Sequence, residues 1–440
     1  MRVVLLYPEV YDMARFKEGR REFPPFGVMY LGAALRDAGH DPAIMKVFPG
    51  QEPLDLTDFD AVGVSTASSA TYGMLVTAVA HSRRAENSLL MVGGVHTNFY
   101  PVDSLVDFNA DVVGVGESED TILQLLAHSV DRDFSDVAGA VWRDAAGVVR
   151  QNPQVSVSRD ISHLPLPARD LLPTDDLVMT DRLAGRDLRM AHVMFSRGCP
   201  FPCSFCAAGQ TRIQYRDGVS ARTELESLIA DYQIEGFAIV DDNFIVAKQK
   251  VADICDHIVD LNLKWSALSR VDTVDRELLQ KMADAGCIEV KFGVESGSEA
   301  LLRDMQKNTT QAQIEAAITM AYEVGIEPKA FIIHGYPGEN EATTAETIAM
   351  LERLRTKLSR VSLFRFVPLP GTKAYSNQLG QPRIHGTHLS PEWDGDWSKF
   401  HIHHNDRHWW GSDADFAELQ RSYINLREYV ETHWGSQGAN

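Results

Sequence analysis

The strongest constraint on this chain is a repeated alternation: short runs rich in Val, Ile and Leu recur along it, each followed by a loop and then by apolar residues at helical spacing. In the first part the runs are Val3 to Leu6, Ala43 to Val47, Ala61 to Ser65, Leu89 to Val92 and Val112 to Val115. Helical patterns lie between them, for example Met29 to Ala38, stopped by Gly39, and Tyr72 to Arg84. Strand and helix signals in this order predict an α/β fold, with a doubly wound, Rossmann-like parallel sheet over residues 1–130.

A second series begins at His192 to Ser196. It continues through Gly236 to Val240, Lys264 to Leu268, Ile288 to Val294, Lys329 to Ile333 and Val361 to Val367. Six strands are too few for a closed eight-fold barrel and predict a partial (β/α)6 barrel over residues 191–378, with functional groups at the strand C-termini. Between the two series, over residues 131–190, periodicity fades. His163-Leu-Pro-Leu-Pro-Ala-Arg-Asp170 reads as a proline-stiffened linker. Residues 379–440 read as a small, mainly helical region: a Trp- and His-rich segment from Gln381 to Trp410, then a helix from Asp413 to Thr432.

A chain of 440 residues that is 44% hydrophobic and 23% charged can bury two sizeable cores. Its net charge of -19, from 61 acidic and 42 basic residues, and the lack of a long Lys/Arg run disfavour nucleic acid as a partner. No apolar stretch is long enough to span a bilayer, and the N-terminal apolar run breaks at Pro8, so a cytoplasmic location is expected.

Of the five cysteines, Cys199, Cys203 and Cys206 crowd one Pro-rich loop after a strand, while Cys255 and Cys287 stand alone. That distribution argues against a disulfide framework and for metal chemistry. Three thiolates can hold three corners of a cubane and leave one iron open to a substrate. A structural zinc site closes with four ligands, and neither lone cysteine is spaced as an obvious fourth.

Cys199-Pro-Phe-Pro-Cys203-Ser-Phe-Cys206, with Phe205 before the last cysteine, resembles the cluster motif of the radical S-adenosylmethionine (SAM) superfamily. The resemblance implies a 4Fe-4S cluster whose open iron chelates SAM, and reductive cleavage to a 5'-deoxyadenosyl radical. The cofactor carries that chemistry while the protein supplies geometry and exclusion of water. Later strand ends are similar to the family's supporting motifs, and the resemblance implies SAM contacts at Phe205 in the cysteine motif and at Asp241, Asn243, Arg270, Glu295, Ser296, Ile333 and Pro370. Asp241 and Asn243 serve equally well as caps of a βα turn. Lys307-Asn308-Thr309 belongs to the same resemblance, with a surface helix charge as the plain alternative for Lys307, and His334 reads as a structural histidine.

The small-residue loops after the first strands, with Pro24-Pro25-Phe26-Gly27 and Gly93-Gly94-Val95-His96, resemble the cobalamin domain of cobalamin-dependent radical SAM enzymes. That resemblance implies cobalamin contacts at Tyr7, Ser65, Thr66, Ala67, Gly93, Gly94, His96, Gly114, Gly116 and Glu117. Small residues there also make tight turns. The Asp-x-His-x-x-Gly motif that supplies a lower cobalt ligand in methionine synthase-like domains is absent, which leaves Tyr7 or a water near that face.

Together these resemblances imply a methyltransferase acting on an unactivated carbon, or phosphorus, of a small-molecule biosynthetic intermediate, with a low-potential donor such as flavodoxin or ferredoxin. No individual catalytic residue is assigned. Cyclisation, rearrangement or oxidation in the same family remains an alternative, as do a non-catalytic cobalamin or iron-sulfur sensor and a zinc-stabilised scaffold. Trp393, Trp397, His403, His404, Trp409 and Trp410 are candidates for substrate contact or for a structural cap.

Overall fold

The computed structural model describes residues 1–9, 24–154, 158–378, 397–400 and 413–435. The chain divides into two compact units: residues 1–158 with 163–177 and 396–399, and residues 159–162 with 178–395 and 400–440.

The first unit is a seven-stranded sheet. Its strands are β1 (Arg2–Pro8), β2 (Asp41–Val47), β3 (Ala61–Ser65), β4 (Leu89–Gly93), β5 (Val112–Gly114), β6 (Ala140–Arg143) and β7 (Val149–Gln151). The order is β2-β1-β3-β4-β5-β6-β7, parallel through β5 and antiparallel beyond it. The continuous apolar runs of β1, β3 and β4 are buried on both faces, as a sheet covered by helices requires. Among the covering helices are α1 (Phe26–Asp37), α2 (Tyr72–His81), α3 (Val95–Phe99), α4 (Pro101–Asp107) and α5 (Glu119–Ala127). The second predicted helix ends three residues early, because Arg83–Arg84 pairs with Asp55–Leu56 instead. The chain leaves β1 towards β2 on one side and returns to β3 on the other, so the topological switch lies between β1 and β3.

Residues 131–190, expected as a linker, are more structured than their periodicity suggests. Two strands from this stretch complete the first sheet. The prolines then run back along α1, where the Ala168 N–H donates to Met29 O at 3.1 Å and Arg36 clamps Asp170 at 3.0 and 2.7 Å. Short antiparallel strands joined by turns carry too few residues to show a period.

The second unit is also seven-stranded. It contains β8 (Val178–Leu183), β9 (Arg186–Val193), β10 (Gly236–Ile239), β11 (Lys264–Arg270), β12 (Cys287–Glu295), β13 (Glu327–His334) and β14 (Arg360–Arg365), in that spatial order. The six parallel strands are the expected partial barrel, and β8 adds one antiparallel edge. The first barrel strand ends at Val193 rather than Ser196, since Ser196–Arg197 leaves the sheet to pair with Gln214–Tyr215. The helices include α6 (Gly218–Tyr232), α7 (Lys248–Ile258), α8 (Arg276–Asp284), α9 (Gln311–Glu323), α10 (Glu341–Leu354) and the last helix, α11 (Asp413–Trp434). Asp217 caps α6 through Ser220 N, and Thr310 and Gln313 form a capping box on α9. Among the described residues no helix is long and apolar enough to cross a membrane.

Candidate active site

The three clustered cysteines lie in a loop that leaves the C-terminal end of β9. Asp241, beyond the end of β10, closes its neck: one carboxylate oxygen accepts from Phe195 N at 3.0 Å and the other from Ser196 Oγ at 2.6 Å. Inside the loop, Thr211 N donates to Cys199 O at 3.0 Å, Cys199 N to Thr211 Oγ1 at 2.8 Å, and Cys206 N to Cys203 O at 3.2 Å. Gly198 has φ +80°, and a Cβ there would stand 2.5 Å from Arg212 O, so glycine alone lets the two loop arms touch. Ser204 anchors the loop from below. Its N–H donates to Met305 O at 2.8 Å, and its hydroxyl lies 2.8 Å from that of Tyr336.

Cys199 is buried and the other two thiols are partly exposed. Arg270, the last residue of β11, reaches them: Nη1 donates to Cys203 Sγ at 3.2 Å while the guanidinium lies 4.0 Å from the Phe201 ring centre. Three more of its five donors engage Asp272, twice at 2.8 Å, and Lys307 O at 2.6 Å. Burial pushes the Cys206 thiol up to about 11 and raises that of Cys203, an effect that Lys307 and Arg270 oppose at Cys203. Asn243 directs Nδ2 at Cys199 Sγ, 4.0 Å away, and leaves a buried Oδ1 without a partner. Burial also drives the Asp241 carboxyl up to about 8.

Among the described residues no three His, Cys, Asp or Glu side chains converge as a single-ion site. A loop that presents three thiols beside a cation, with an unpartnered amide oxygen close by, fits a cluster with a chelated ligand better than it fits a lone zinc ion.

Glu295 and Lys307 form a buried pair, Nζ to Oε1 2.8 Å, with side-chain exposures of 9% and 5%. Lys307 is therefore not the surface charge that its helical surroundings suggested. The helix before it ends at Asp304, and the turn that follows carries its side chain inward. Glu295 sits at φ +67°, beside a register shift between Gly293 and Glu295 that re-aims its carboxylate. Ser296 is buried and accepts from Ser298 N at 3.0 Å. Ile333 and Phe205 are half-buried and Pro370 is buried. His334 faces away from these groups, with Nε2 3.0 Å from Ser422 Oγ on α11. Ser196, Ser204, Thr211 and Tyr336 escaped the sequence reading as functional residues. Ser204 lies inside the cysteine motif and Tyr336 two residues past a barrel strand, which are the local signals that mark them.

In the first unit, the loops expected to hold cobalamin gather at the C-terminal ends of β1, β3, β4 and β5. Tyr7 is buried, with Lys46 Nζ 5.7 Å from its ring centre. Thr66 is buried and knits two loops: its N–H donates to Gly93 O at 2.8 Å, its hydroxyl lies 2.7 Å from that of Thr97, and its carbonyl accepts from His96 N at 3.0 Å. Gly94, at φ +114°, has no room for a Cβ, which would lie 2.8 Å from Thr66 N. Gly114 is buried, whereas Ser65, Ala67, Gly93, Gly94, Gly116 and Glu117 are partly or fully exposed. They form a shelf of small residues and one carboxylate, which a broad planar ligand can approach closely.

His96 does not present its ring to that shelf. Its side chain is buried, with Nδ1 2.8 Å from Ser69 Oγ and the rings of Tyr72, Trp397 and Tyr100 at 4.0, 4.7 and 5.2 Å. Burial holds it down at about 4, so it is neutral. Trp397 thus packs as structural cover. Trp393, His403, His404, Trp409 and Trp410 lie outside the described residues.

Residues 193–351 match the radical SAM superfamily model and residues 18–126 match the B12 binding domain model. The chain therefore carries a B12-binding domain followed by a radical SAM domain, the pairing found in cobalamin-dependent radical SAM enzymes. Such domains imply a 4Fe-4S cluster, SAM and cobalamin. Over 392 residues, 85% of this chain and 82% of the relative, it is 29% identical to an uncharacterized methyltransferase of Pyrococcus horikoshii. It is 25% identical to the anaerobic magnesium-protoporphyrin IX monomethyl ester cyclase of Cereibacter sphaeroides, over 87% of this chain and 64% of that one. The fold is similar, with a TM-score of 0.68, to the radical S-adenosylmethionine methyltransferase TsrM from Kitasatospora setae, solved with cobalamin and a 4Fe-4S cluster bound. That match is 18% identical and covers 88% of this chain and 79% of that one.

Proposed function

We propose that this protein is a cobalamin-dependent radical SAM methyltransferase that places a methyl group on an unactivated carbon, or on phosphorus, of a small-molecule biosynthetic intermediate. The observation that carries the reading is the three-thiol loop at the end of the first barrel strand, braced by Arg270, in a chain that also has a B12-binding domain. Bound together, the cluster, SAM and cobalamin supply a 5'-deoxyadenosyl radical and a transferable methyl group.

Cys199, Cys203 and Cys206 hold the cluster in this reading, and Phe205 packs beside it. Asn243, whose buried Oδ1 has no partner, would accept from the methionyl ammonium. Arg270 donates to the Cys203 sulfur and brings positive charge to the methionyl carboxylate. Asp241, buried at the neck of the loop, would position the loop through Phe195 N and Ser196 Oγ. Glu295 and Lys307, a buried ion pair, would help to hold SAM, and Ser296 shapes the turn beside Glu295. Ile333 and Pro370 supply apolar cover for adenine. In the first domain, the backbone at Ser65, Thr66, Ala67, Gly93, Gly94, Gly114 and Gly116, with Tyr7 and Glu117, receives cobalamin. His96 supports that shelf from within. A low-potential donor such as flavodoxin or ferredoxin delivers the electron, in the cytoplasm.

Anaerobic reconstitution with hydroxocobalamin tests the reading: iron, sulfide and cobalt are quantified, then 5'-deoxyadenosine and S-adenosylhomocysteine are assayed with reductant. Four irons, one cobalt and both products are expected. Formation of 5'-deoxyadenosine without S-adenosylhomocysteine or methylcobalamin, with the true substrate present, would favour non-methylating chemistry of the kind the cyclase relative's name denotes. Zinc without iron would overturn the assignment.

A further inference from the structure

Successive residues of a strand point to opposite faces, and register partners on neighbouring strands point to the same face. On β11 to β14, one face carries Trp265, Ala267, Val290, Phe292, Val294, Ala330, Ile332 and Val361, all fully or almost fully buried. That is the face the crossover helices cover, because right-handed βαβ connections put every helix on one side of a barrel. The opposite face, which bears Arg270, belongs to the barrel interior.

The interior side chains are sorted by height. Nearest the strand N-termini, Ser266, Glu289 and Glu327 are register partners. Two residues further along, Leu268, Lys291, Lys329 and Arg360 form the next row. Above it come Arg270, Gly293, Phe331 and Ser362, then Ile333 and Phe364; past the end of β13, Tyr336 meets Ser204 of the cysteine loop. Phe331 and Phe364 meet edge to face at 5.6 Å, and both are only half-buried.

Three cations in one row stand over two carboxylates. Arg360 is directed at the lower row, with Nη2 3.4 Å from Glu289 Oε2. Lys291 joins that network only at longer range, 3.7 Å from Glu289 Oε1. Its ammonium has three donors. Among the described residues it donates to Ser266 Oγ at 3.2 Å, with a quarter of its side chain exposed. Lys329, its register partner one strand away, is buried with Nζ 5.1 Å from the Phe331 ring centre. The row sits on the order of 7 Å below the Arg270 row, two residues at the strand rise. A small molecule beneath the cysteine loop could span that distance.

The geometry points to an anion subsite inside the barrel: Lys291 and Lys329 take an acidic group of the substrate, a carboxylate or a phosphoryl group, while Phe331 and Phe364 flank the carbon skeleton between that group and the reacting end. This rests on the radical SAM reading of the domain and narrows the substrate to an acidic one. Two strand-borne ammonium groups suit either oxyanion as point charges.

The test uses anaerobically reconstituted full-length protein saturated with S-adenosylhomocysteine, so that the methionyl carboxylate site is filled. Calorimetry then measures 3-phenylpropionate and phenyl phosphate against 3-phenylpropanol and phenethylammonium. The subsite predicts at least tenfold tighter binding of one or both anions than of the alcohol, and the better anion identifies the acidic group. The preference should fall at least tenfold in Lys291→Gln and Lys329→Gln and persist in Lys291→Arg.

Equal binding of anions and alcohol by the wild type, or an anion preference unchanged in both Gln variants, overturns the subsite. If Lys291 only neutralises Glu289, the preference is absent and Glu289→Gln restores the melting temperature lost in Lys291→Gln. Iron and cobalt content of the wild type reports separately on the radical SAM reading. A protein with four irons and one cobalt but no anion preference refutes the subsite alone.

Discussion

Arg270 Nη1 stands 3.2 Å from Cys203 Sγ, although the two residues are 67 positions apart in the chain. The guanidinium is held for that contact by Asp272, by Lys307 O and by the Phe201 ring. A charge-assisted donor on a thiolate stabilises the more negative, reduced state of any cluster that thiolate holds.

Replacing Arg270 should therefore make the cluster harder to reduce. A hydrogen bond to a charged group contributes about 1.5–3 kcal/mol, equivalent to roughly 60–130 mV for one electron. In Arg270→Gln the midpoint potential, followed by electron paramagnetic resonance during a redox titration, is expected to fall by that order. Arg270→Lys should recover part of it.

Iron content should separate the clustered cysteines from the lone ones. Cys199→Ala, Cys203→Ala and Cys206→Ala should each lose most reconstituted iron while keeping the far-ultraviolet circular dichroism of the fold. Cys255→Ala and Cys287→Ala, both in the core, should cost stability of about 1–2 kcal/mol but retain iron. Equal iron loss in all five variants would refute the assignment.

The Glu295–Lys307 pair predicts a non-additive double mutant. Lys307→Met strands a buried carboxylate and should destabilise by about 3–5 kcal/mol in urea unfolding. Glu295→Gln with Lys307→Met should be clearly more stable than Lys307→Met alone, since the unpaired charge is gone.

Two buried carboxyls give a pH dependence with a definite sign. Burial raises Asp241 to about 8 and Glu339 to about 7, so near neutrality the folded protein holds protons that the unfolded chain has released. Their contribution is fully present below the ordinary carboxylate range and is lost as pH rises towards 7 and 8. Urea unfolding of the apoprotein between pH 5 and 8 should show stability falling with pH, less steeply in Asp241→Asn.

Gly94→Ala should damage the first domain selectively. The new methyl group meets Thr66 N at 2.8 Å in a left-handed backbone, which should cost on the order of 2 kcal/mol. Cobalt content should drop while iron content in the second domain stays near the wild-type level.

The alternation of strand and helix, and the spacing of Cys199, Cys203 and Cys206, were legible without coordinates because both are local. A period of two or of 3.6 reports on one element, and three thiols in one loop need no distant partner to suggest a metal. The two α/β units and the cysteine loop follow from the sequence by that logic. Tertiary structure decided which side chains are buried and what they touch. It turned Lys307 inward to Glu295, engaged both oxygens of Asp241 at the loop neck, and enclosed His96 among Tyr72, Tyr100 and Trp397. It placed β6 and β7 on the first sheet and set Lys291 beside Lys329. Each of these depends on register or burial between residues far apart in the chain, and neither leaves a periodic trace within a single segment.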